Sequence, residues 1–407
     1  MDERADSARE VHRVAEGVSE RANEPRNEHR NERFFATCAP GLEAVLHEEA
    51  KALKLAKIER QVGGVYFEGT LRDALRANLW MRTAVRVLMR VARFEAQDAD
   101  ALYEGAKRVE WSRFVAPEGT LIVDGHSNDS KLDHTLFVEQ RVKDAIVDSL
   151  RERHGVRPSV AKENADLGVH AHLFRDRCTL LVDTSGESLH KRGWRKFQGR
   201  APLAETLAAA LVLLSEWDRR APLIDPMCGS ATILVEAALI AGNVAPGLFR
   251  ERFGCERWPG SDAKLAEKLR HEARSASKPS KATLIGRDID PKTIDGAREN
   301  LAAAGLADKI ELSVGDALEL APRRGWNGWI VCNPPYGERV GNERDVERTY
   351  RRFGEWLRER CAGFHVALLV PEGRLAGSLG LANPSSLAVQ NGGLACNVVC
   401  SLVPPRA

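Results

Sequence analysis

From Ala221 onward, short apolar segments alternate with longer segments whose apolar residues recur at helical spacing. This alternation is typical of a parallel β-sheet with helices packed on both faces. The predicted strands are residues 223–224, 283–285, 310–314, 329–332 and 366–370. Apolar runs on both sides of Asn391-Gly392-Gly393 then predict an antiparallel hairpin. We therefore expect an α/β Rossmann-like domain over residues 221–407, in which a C-terminal hairpin completes a parallel sheet.

The predicted strand at 329–332 runs directly into Asn333-Pro334-Pro335-Tyr336. The Asn333 side-chain carbonyl and the Pro334 backbone carbonyl can both accept N–H bonds from a planar exocyclic amine. Such bonds hold the nitrogen in place and draw its lone pair out of conjugation with the ring. Two prolines in series stiffen the loop, and Tyr336 can stack on a base. These four residues are the predicted catalytic set, for transfer of a methyl group to an amine; the structural alternative is a stiff turn.

The loop at 225–232 also follows a predicted strand, and it opens a helix. The methyl donor S-adenosylmethionine needs a carboxylate near its ammonium group, close approach of backbone, and N–H donors for its own carboxylate. Asp225, Gly229 and the start of the helix can supply these. A simple helix cap at a strand-to-helix turn is the alternative interpretation.

Two carboxylates, Asp288 and Asp290, stand just after the next predicted strand. In this fold a carboxylate at that position accepts hydrogen bonds from both ribose hydroxyls of a nucleoside. Asp290 precedes Pro291, which is the pattern of a helix N-cap. We therefore predict that Asp288 contacts the ribose and that Asp290 caps a helix or makes an auxiliary contact.

The rest of the chain divides into four further parts. Residues 1–32 alternate polar and charged side chains and predict a disordered tail. Residues 33–92 and 93–185 each mix strands and helices, which predicts two small α+β domains. Residues 186–220 form a basic linker followed by a helix. An insertion at about 243–281 separates the first helix of the α/β domain from its second strand.

The linker is strongly basic and carries two aromatic residues. Cations can grip phosphates, and an aromatic ring such as Trp194 can stack on a base. The alternatives are a solvated linker and a lid over the methyl donor. The predicted RNA-binding residues are Lys191, Arg192, Trp194, Arg195, Lys196 and Arg200.

Composition adds few constraints. The formal net charge of +2 at pH 7 does not by itself argue for a nucleic-acid partner. The eight cysteines are scattered without metal-ligand spacing, which predicts reduced, buried thiols in a cytoplasmic protein that binds no metal. No apolar run is long enough to predict a membrane span.

On these residues the chain resembles the THUMP-domain RNA methyltransferases. The likeness is strongest to the half of the bacterial 23S rRNA enzyme that makes N2-methylguanine, without the second methyltransferase domain fused to it. The stretches that carry it are residues 35–43, 189–195, 201–208, 225–230, 245–248, 286–291 and 333–339. Ala231 stands where the family usually has glycine, a change that we expect to be tolerated if the backbone there is helical.

The resemblance implies a ferredoxin-like domain over 33–92, a THUMP RNA-binding domain over 93–185 and a class I methyltransferase domain. It implies that Asp316 accepts from the adenine amino group of S-adenosylmethionine. The implied cofactor-binding residues are Pro202, Glu205, Thr206, Asp225, Pro226, Cys228, Gly229, Ser230, Asp288, Ile289, Asp316, Ala317 and Asn333.

The resulting expectation is S-adenosylmethionine-dependent methylation of guanine N2 in 23S rRNA, either as free RNA or within an assembly intermediate. Three alternatives stay open: a tRNA guanine methyltransferase, an N6-adenine methyltransferase, and a non-catalytic RNA-binding factor in ribosome assembly. A base in a duplex would have to flip out to reach Asn333.

Overall fold

The computed structural model describes residues 31–161, 165–199, 202–323, 325–336 and 343–404. The predicted N-terminal tail up to residue 30 and Arg200 lie outside these ranges.

The first α+β unit has the element order of a ferredoxin-like fold. Its elements are β1 (Glu32–Thr37), α1 (Glu43–Ala52), β2 (Ala56–Gln61), β3 (Gly64–Gly69), α2 (Leu71–Trp80) and β4 (Arg86–Glu95). β2 was not predicted from the sequence, because its residues are exposed or half-buried and show no apolar alternation. It pairs with β3 through a turn at Gly63, whose φ of +78° suits glycine.

The second unit continues the same sheet. Its elements are α3 (Ala99–Lys107), β5 (Thr120–Asn128), α4 (Thr135–His154), β6 (Ser159–Val160), β7 (Leu167–Phe174) and β8 (Arg177–Asp183), with a 3-10 helix at Trp111–Arg113. Within the described residues, β4 pairs with β8 and joins both units in one eight-stranded sheet, ordered β2-β3-β1-β4-β8-β7-β5-β6. The expected α+β composition is confirmed, but the two units share one sheet.

The α/β domain follows. Its elements are α5 (Glu205–Leu214), β9 (Leu223–Asp225), α6 (Thr232–Ala241), α7 (Ala263–Ser275), β10 (Leu284–Asp288), α8 (Pro291–Ala303), β11 (Ile310–Val314), β12 (Trp329–Cys332), α9 (Glu343–Arg360), β13 (His365–Pro371), α10 (Leu375–Ser378), β14 (Ser385–Asn391) and β15 (Leu394–Leu402). Short 3-10 helices lie at Pro246–Phe249, Gly254–Arg257 and Ala317–Glu319.

The sheet order is β11-β10-β9-β12-β13-β15-β14. Neighbours from β11 to β13 are parallel, whereas β15 pairs antiparallel with both β13 and β14. The expected class I methyltransferase sheet with a C-terminal hairpin is therefore confirmed. The chain builds outward from β9 to β11 and then crosses to β12 on the other side of β9, which places a topological switch point there.

The insertion at 243–281 attaches the α/β domain to the N-terminal half. Arg82 donates from Nη2 to the backbone oxygen of Val244 at 2.9 Å. The Phe114 and Trp258 rings meet edge to face with centroids 5.1 Å apart. A Cβ at Gly247 would lie 2.7 Å from the Leu79 Cα, so only glycine permits this approach. Because these contacts are buried, the α/β domain is held against both N-terminal units.

Across the described ranges, no helix is long and apolar enough to cross a membrane.

Candidate active site

Four predicted site residues lie at the carboxyl ends of adjacent parallel strands. Asp225 ends β9 and Asp288 ends β10, while Asp316 and Asn333 follow β11 and β12. The strand order makes these ends neighbours at the switch point, where open α/β sheets bind their ligands. The fold therefore brings together residues that are more than a hundred positions apart in the chain.

The loop after β9 is fastened to the end of β10. The Cys228 N–H donates to the Arg287 carbonyl at 2.8 Å, and the Gly229 N–H donates to Asp288 Oδ2 at 3.0 Å. A Cβ at Gly229 would meet nothing within 4 Å, so the space above the loop is open. The loop is thus fixed to the end of β10 and is open to solvent at Gly229.

Ala231 has a φ of +63° and a ψ of +23°, which is the left-handed conformation. The condition under which we expected alanine to be tolerated, a helical backbone angle, is therefore not met. A left-handed L-residue costs about 1–2 kcal/mol, and the glycine usual in the family would avoid that cost. The methyl group of Ala231 is fully buried, so its packing offsets part of the strain.

Asp290 caps a helix as the sequence indicated, whereas the ribose contact predicted for Asp288 stays a prediction. Asp288 is half-buried at the strand end, and its Oδ1 accepts the Asp290 N–H at 3.0 Å. Asp290 caps α8 by accepting from the Lys292 N–H at 3.0 Å and the Thr293 hydroxyl at 2.9 Å, so the predicted cap is confirmed. Between them, the Ile289 side chain is 71% exposed and offers an apolar surface at the strand edge.

Asp316 is also half-buried and caps a turn. Its Oδ1 accepts the Leu318 N–H at 2.9 Å, at the start of the 3-10 helix that contains buried Ala317. This bond occupies one carboxylate oxygen, Oδ1. The predicted contact with adenine stays a prediction.

The Asn333-Pro334-Pro335-Tyr336 loop presents an unusual acceptor. Asn333 Oδ1 is buried, and it has no hydrogen-bond partner among the described residues. Leaving a buried polar atom unpaired costs about 1–3 kcal/mol, so such an atom calls for a functional explanation. Pro334 is buried beside it, Pro335 is half-buried, and the Tyr336 hydroxyl accepts a hydrogen bond from Asn391 Nδ2 at 2.7 Å.

The Asp225 carboxyl is buried beneath this loop, with 1% of the residue exposed. Burial raises its pKa from the ordinary 3.8 to about 7, against the opposing effect of a hydrogen bond from the Cys332 thiol. Met227 N–H also donates to Oδ1 at 3.3 Å. A carboxyl group that ionises near neutral pH can respond to a nearby cation by releasing its proton.

We expect Asp225 to lower the stability of the ligand-free protein as pH rises. Between pH 4 and 7 the unfolded chain holds an ionised carboxylate, whereas the folded protein keeps it protonated. The contribution of Asp225 to stability is therefore complete below about pH 4 and is lost as the pH rises through 7. Asp225→Asn cannot ionise and should avoid that loss. Chemical denaturation of both proteins at pH 5 and pH 8 tests this: the stability advantage of the variant should grow with pH, and an advantage that is independent of pH would contradict it.

The basic segment departs most from its prediction. Arg192 is 2% exposed and donates from Nε to Glu236 Oε1 at 3.2 Å, and Trp194 is 1% exposed. Buried side chains cannot reach RNA in this folded state, so the RNA contact predicted for these two residues is wrong. The Arg192 guanidinium instead ties the linker to α6 and to the Arg82 carbonyl.

Arg195 fastens the loop after β9. Its guanidinium pairs with Glu205 at 2.8 Å and donates to the hydroxyls of Ser230 and Thr232 at 3.2 and 3.1 Å. It also donates to the Leu203 carbonyl at 2.9 Å. Because its guanidinium bonds groups of the protein itself, Arg195 is not available to bind an RNA phosphate. Lys191 and Lys196 remain exposed, although Lys191 Nζ lies 3.1 Å from Glu187.

Asn300 is fully buried on α8 and was not predicted from the sequence. Its Oδ1 accepts the backbone N–H groups of Lys196 and Phe197 at 2.7 and 2.8 Å, and its Nδ2 donates to the Ser230 carbonyl at 3.2 Å. An asparagine on the same helix face as Ile294, Ala297 and Leu301 was the available indication, since buried amides need partners.

The remaining predicted cofactor residues surround α5 and the loop. Glu205 and Thr206 are buried in the first turn of α5, whereas Pro202 is exposed ahead of it. Pro226 is buried in the loop.

All eight cysteines are free, and within the described ranges no three His, Cys, Asp or Glu side chains group as metal ligands would.

Three family models match the chain. The RMKL-like methyltransferase domain covers residues 192–399, the RlmL ferredoxin-like domain covers 33–88, and the THUMP domain covers 96–183.

The ribosomal RNA large subunit methyltransferase K/L of Pseudomonas paraeruginosa is 43% identical over 382 residues, which are 91% of this chain and 53% of the relative. The chain thus spans about half the length of the curated relatives it matches.

A possible methylase from Clostridium difficile superposes with a TM-score of 0.83 at 34% identity, over 93% of this chain and 99% of that one. A putative methyltransferase crystallised with SAH gives the same TM-score at 29% identity and the same coverage. The chain belongs to the RMKL-like methyltransferase family and carries RlmL ferredoxin-like and THUMP domains ahead of its catalytic domain.

Proposed function

We propose that this chain uses S-adenosylmethionine to methylate the exocyclic N2 amine of a guanine in 23S rRNA. The observation that carries the proposal is the buried, unpartnered Asn333 Oδ1, which follows β12 at the switch point of the sheet. An exocyclic amine is a donor that such an acceptor would fit.

The residues at the strand ends fit the methyl donor. The open space above Gly229 can admit the amino-acid part of the cofactor, near the buried Asp225 carboxyl. The ammonium group would favour ionised Asp225, whose pKa near 7 makes the proton easy to release. Asp288 would accept from the ribose hydroxyls, with exposed Ile289 beside it and Asp316 toward the adenine. When bound, S-adenosylmethionine supplies a methyl group on a positively charged sulfur.

The protein's part in the reaction is orientation. Asn333 Oδ1 and the Pro334 carbonyl would accept the two N–H bonds of the amine and aim its lone pair at the methyl group. These bonds strengthen as the nitrogen becomes positively charged, so they favour the transition state over the ground state. Tyr336 would stack on the base. Once the methyl group is transferred, the nitrogen loses a proton readily, so no strong base is required.

The N-terminal half and the relatives support the choice of substrate. The THUMP domain is an RNA-binding module, and the curated relatives are named as methyltransferases of large-subunit ribosomal RNA. Recognition of RNA by shape through these domains would bring the target base to the loop at 333–336. The exposed Lys191 and Lys196 remain candidates for contact with phosphates.

Purified protein, S-adenosylmethionine and unmethylated 23S rRNA test the proposal directly. Mass spectrometry of the digested nucleosides should find N2-methylguanosine, in rRNA and not in tRNA incubated in parallel. N6-methyladenosine would overturn the choice of base, and methylation of tRNA alone would overturn the choice of RNA. Absence of methylation from free rRNA, with methylation of partly assembled large subunits, would identify an assembly particle as the substrate.

A further inference from the structure

The Tyr336 hydroxyl is held from the C-terminal hairpin. Asn391 Nδ2 donates to it at 2.7 Å, and the buried Cys396 thiol hydrogen-bonds the same hydroxyl. Burial raises the pKa of Cys396, and the bond to Tyr336 opposes that rise. Tyr336 itself lies in neither a helix nor a strand, and these side-chain bonds tie its ring to the C-terminal hairpin.

Asn391 has a defined position of its own. It is the last residue of β14 and faces Leu394 across the hairpin, next to Gly392 with its φ of +62°. A tight turn of this kind restricts the residue at its base. The Asn391 amide is therefore supported by the strand pair and reaches back to the methyl-transfer loop.

The hairpin is in turn docked on the ferredoxin-like domain. The Gln390 N–H donates to the Pro40 carbonyl at 3.3 Å. Gly41 has a φ of +92°, and a Cβ there would lie 2.0 Å from the Ala388 carbonyl oxygen. Glu43 fixes this loop by accepting the Gly41 and Gly63 N–H groups, both at 3.0 Å. The N-terminal half therefore contacts β14 one residue before Asn391.

We infer that Asn391 is a positioning residue that holds the Tyr336 ring for stacking on the target base, and that the Pro40-Gly41 loop holds the strand carrying it. The inference rests on the proposed function for the role of Tyr336. It gives the N-terminal half a mechanical part in catalysis, since displacement of β14 would displace the ring. Energetic coupling of this kind needs a measured effect across the contact.

The decisive experiment compares Asn391→Ala, Tyr336→Phe and the double variant. Tyr336→Phe keeps the ring but loses the hydroxyl, so both changes remove the Asn391–Tyr336 bond, and Tyr336→Phe also removes the bond to Cys396. We expect each to lower kcat by about tenfold without changing the KM for S-adenosylmethionine, and the double variant to be no worse than Tyr336→Phe alone. Asn391→Asp can accept the hydroxyl proton and should recover most of the loss. Additive losses, or a KM effect alone, would overturn the inference.

Hydrogen exchange supplies a readout that needs no RNA. The amides of Cys332, Asn333 and Tyr336 should exchange about fivefold faster in Asn391→Ala and Tyr336→Phe, because one bond no longer restrains the loop. Gly41→Ala should have the same effect from the other domain. The matched control is Gln390→Ala, which removes an exposed amide side chain from the neighbouring position and should change nothing.

The two proposals fail in different ways. If the wild-type protein does not methylate RNA, the proposed function fails, and hydrogen exchange still decides whether Asn391 positions Tyr336. Unchanged exchange in Asn391→Ala would refute the positioning role even in an active enzyme. Unchanged exchange in folded Gly41→Ala would remove the N-terminal loop from the inference.

Discussion

Replacing Asn333 with alanine should lower the turnover of methyl transfer by about a hundredfold or more, which corresponds to roughly 2.7 kcal/mol of transition-state stabilisation. The Asn333 carbonyl oxygen is buried without a partner among the described residues, and the amine that it would accept becomes a stronger donor as the methyl group arrives. Affinity for S-adenosylmethionine should stay within about twofold, since the bond is made to the substrate base. Single-turnover kinetics and calorimetry measure the two quantities.

Two further variants make this result specific. Asn333→Asp keeps an acceptor in place and should lose less activity than Asn333→Ala. Asn397→Ala makes the same change on β15, at a half-buried side chain in the same domain, and should remain close to wild type. Near wild-type turnover in folded Asn333→Ala would refute the amine-orienting role. A large loss of cofactor affinity would instead assign Asn333 to the cofactor site.

The strands of the α/β domain were predictable because burial on both faces leaves continuous apolar runs. Ile310–Val314 and Trp329–Cys332 were predicted at their observed bounds. β2 was not predicted, since it lies at the edge of its sheet and has no fully buried side chain to reveal it. The pairing of β4 with β8 joins strands more than eighty residues apart, and no local pattern records that choice.

The candidate site divides in the same way. The proximity of Asp225 and Asn333 could be predicted, because the carboxyl ends of parallel strands meet at one edge of the sheet. The burial of the basic segment could not be predicted, since a cation beside an aromatic residue is typical of a solvated or RNA-binding face. The partners that bury Arg192 and Arg195 are Glu236 and Glu205, which stand 44 and 10 residues away on helices that look apolar. Only the packed structure shows that these carboxylates face the linker.

Replacing Arg195 with alanine should destabilise the protein by about 3–5 kcal/mol, because it leaves the Glu205 charge buried without a partner. Both side chains are below a tenth exposed. The same change frees the hydroxyls of Ser230 and Thr232, so the loop after β9 loses its clamp. We therefore expect affinity for S-adenosylmethionine to fall by about tenfold or more, the loss of one to two hydrogen bonds to a charged group.

Measurements of RNA binding distinguish two roles for Arg195: fastening the loop after β9 and contacting a phosphate of the RNA. For Arg195→Ala, the dependence of RNA affinity on salt should keep the wild-type slope, since an internally bonded guanidinium releases no counterions. Lys196→Ala is the matched control: its exposed side chain lies one residue away, and its loss should leave stability and cofactor affinity unchanged. If Lys196 contacts a phosphate, the log–log slope should become shallower by about 0.7–0.9.

Adding Glu205→Gln to Arg195→Ala should recover part of the lost stability, because the unpaired charge is removed with its partner. Equilibrium unfolding of the two single variants and the double variant measures that recovery, and calorimetry follows the cofactor in the same proteins. A shallower salt slope in Arg195→Ala, with intact stability and cofactor affinity, would refute the clamp and restore Arg195 as an RNA contact. Retained cofactor affinity in a destabilised variant would limit Arg195 to folding, since the loop would then keep its shape without the clamp.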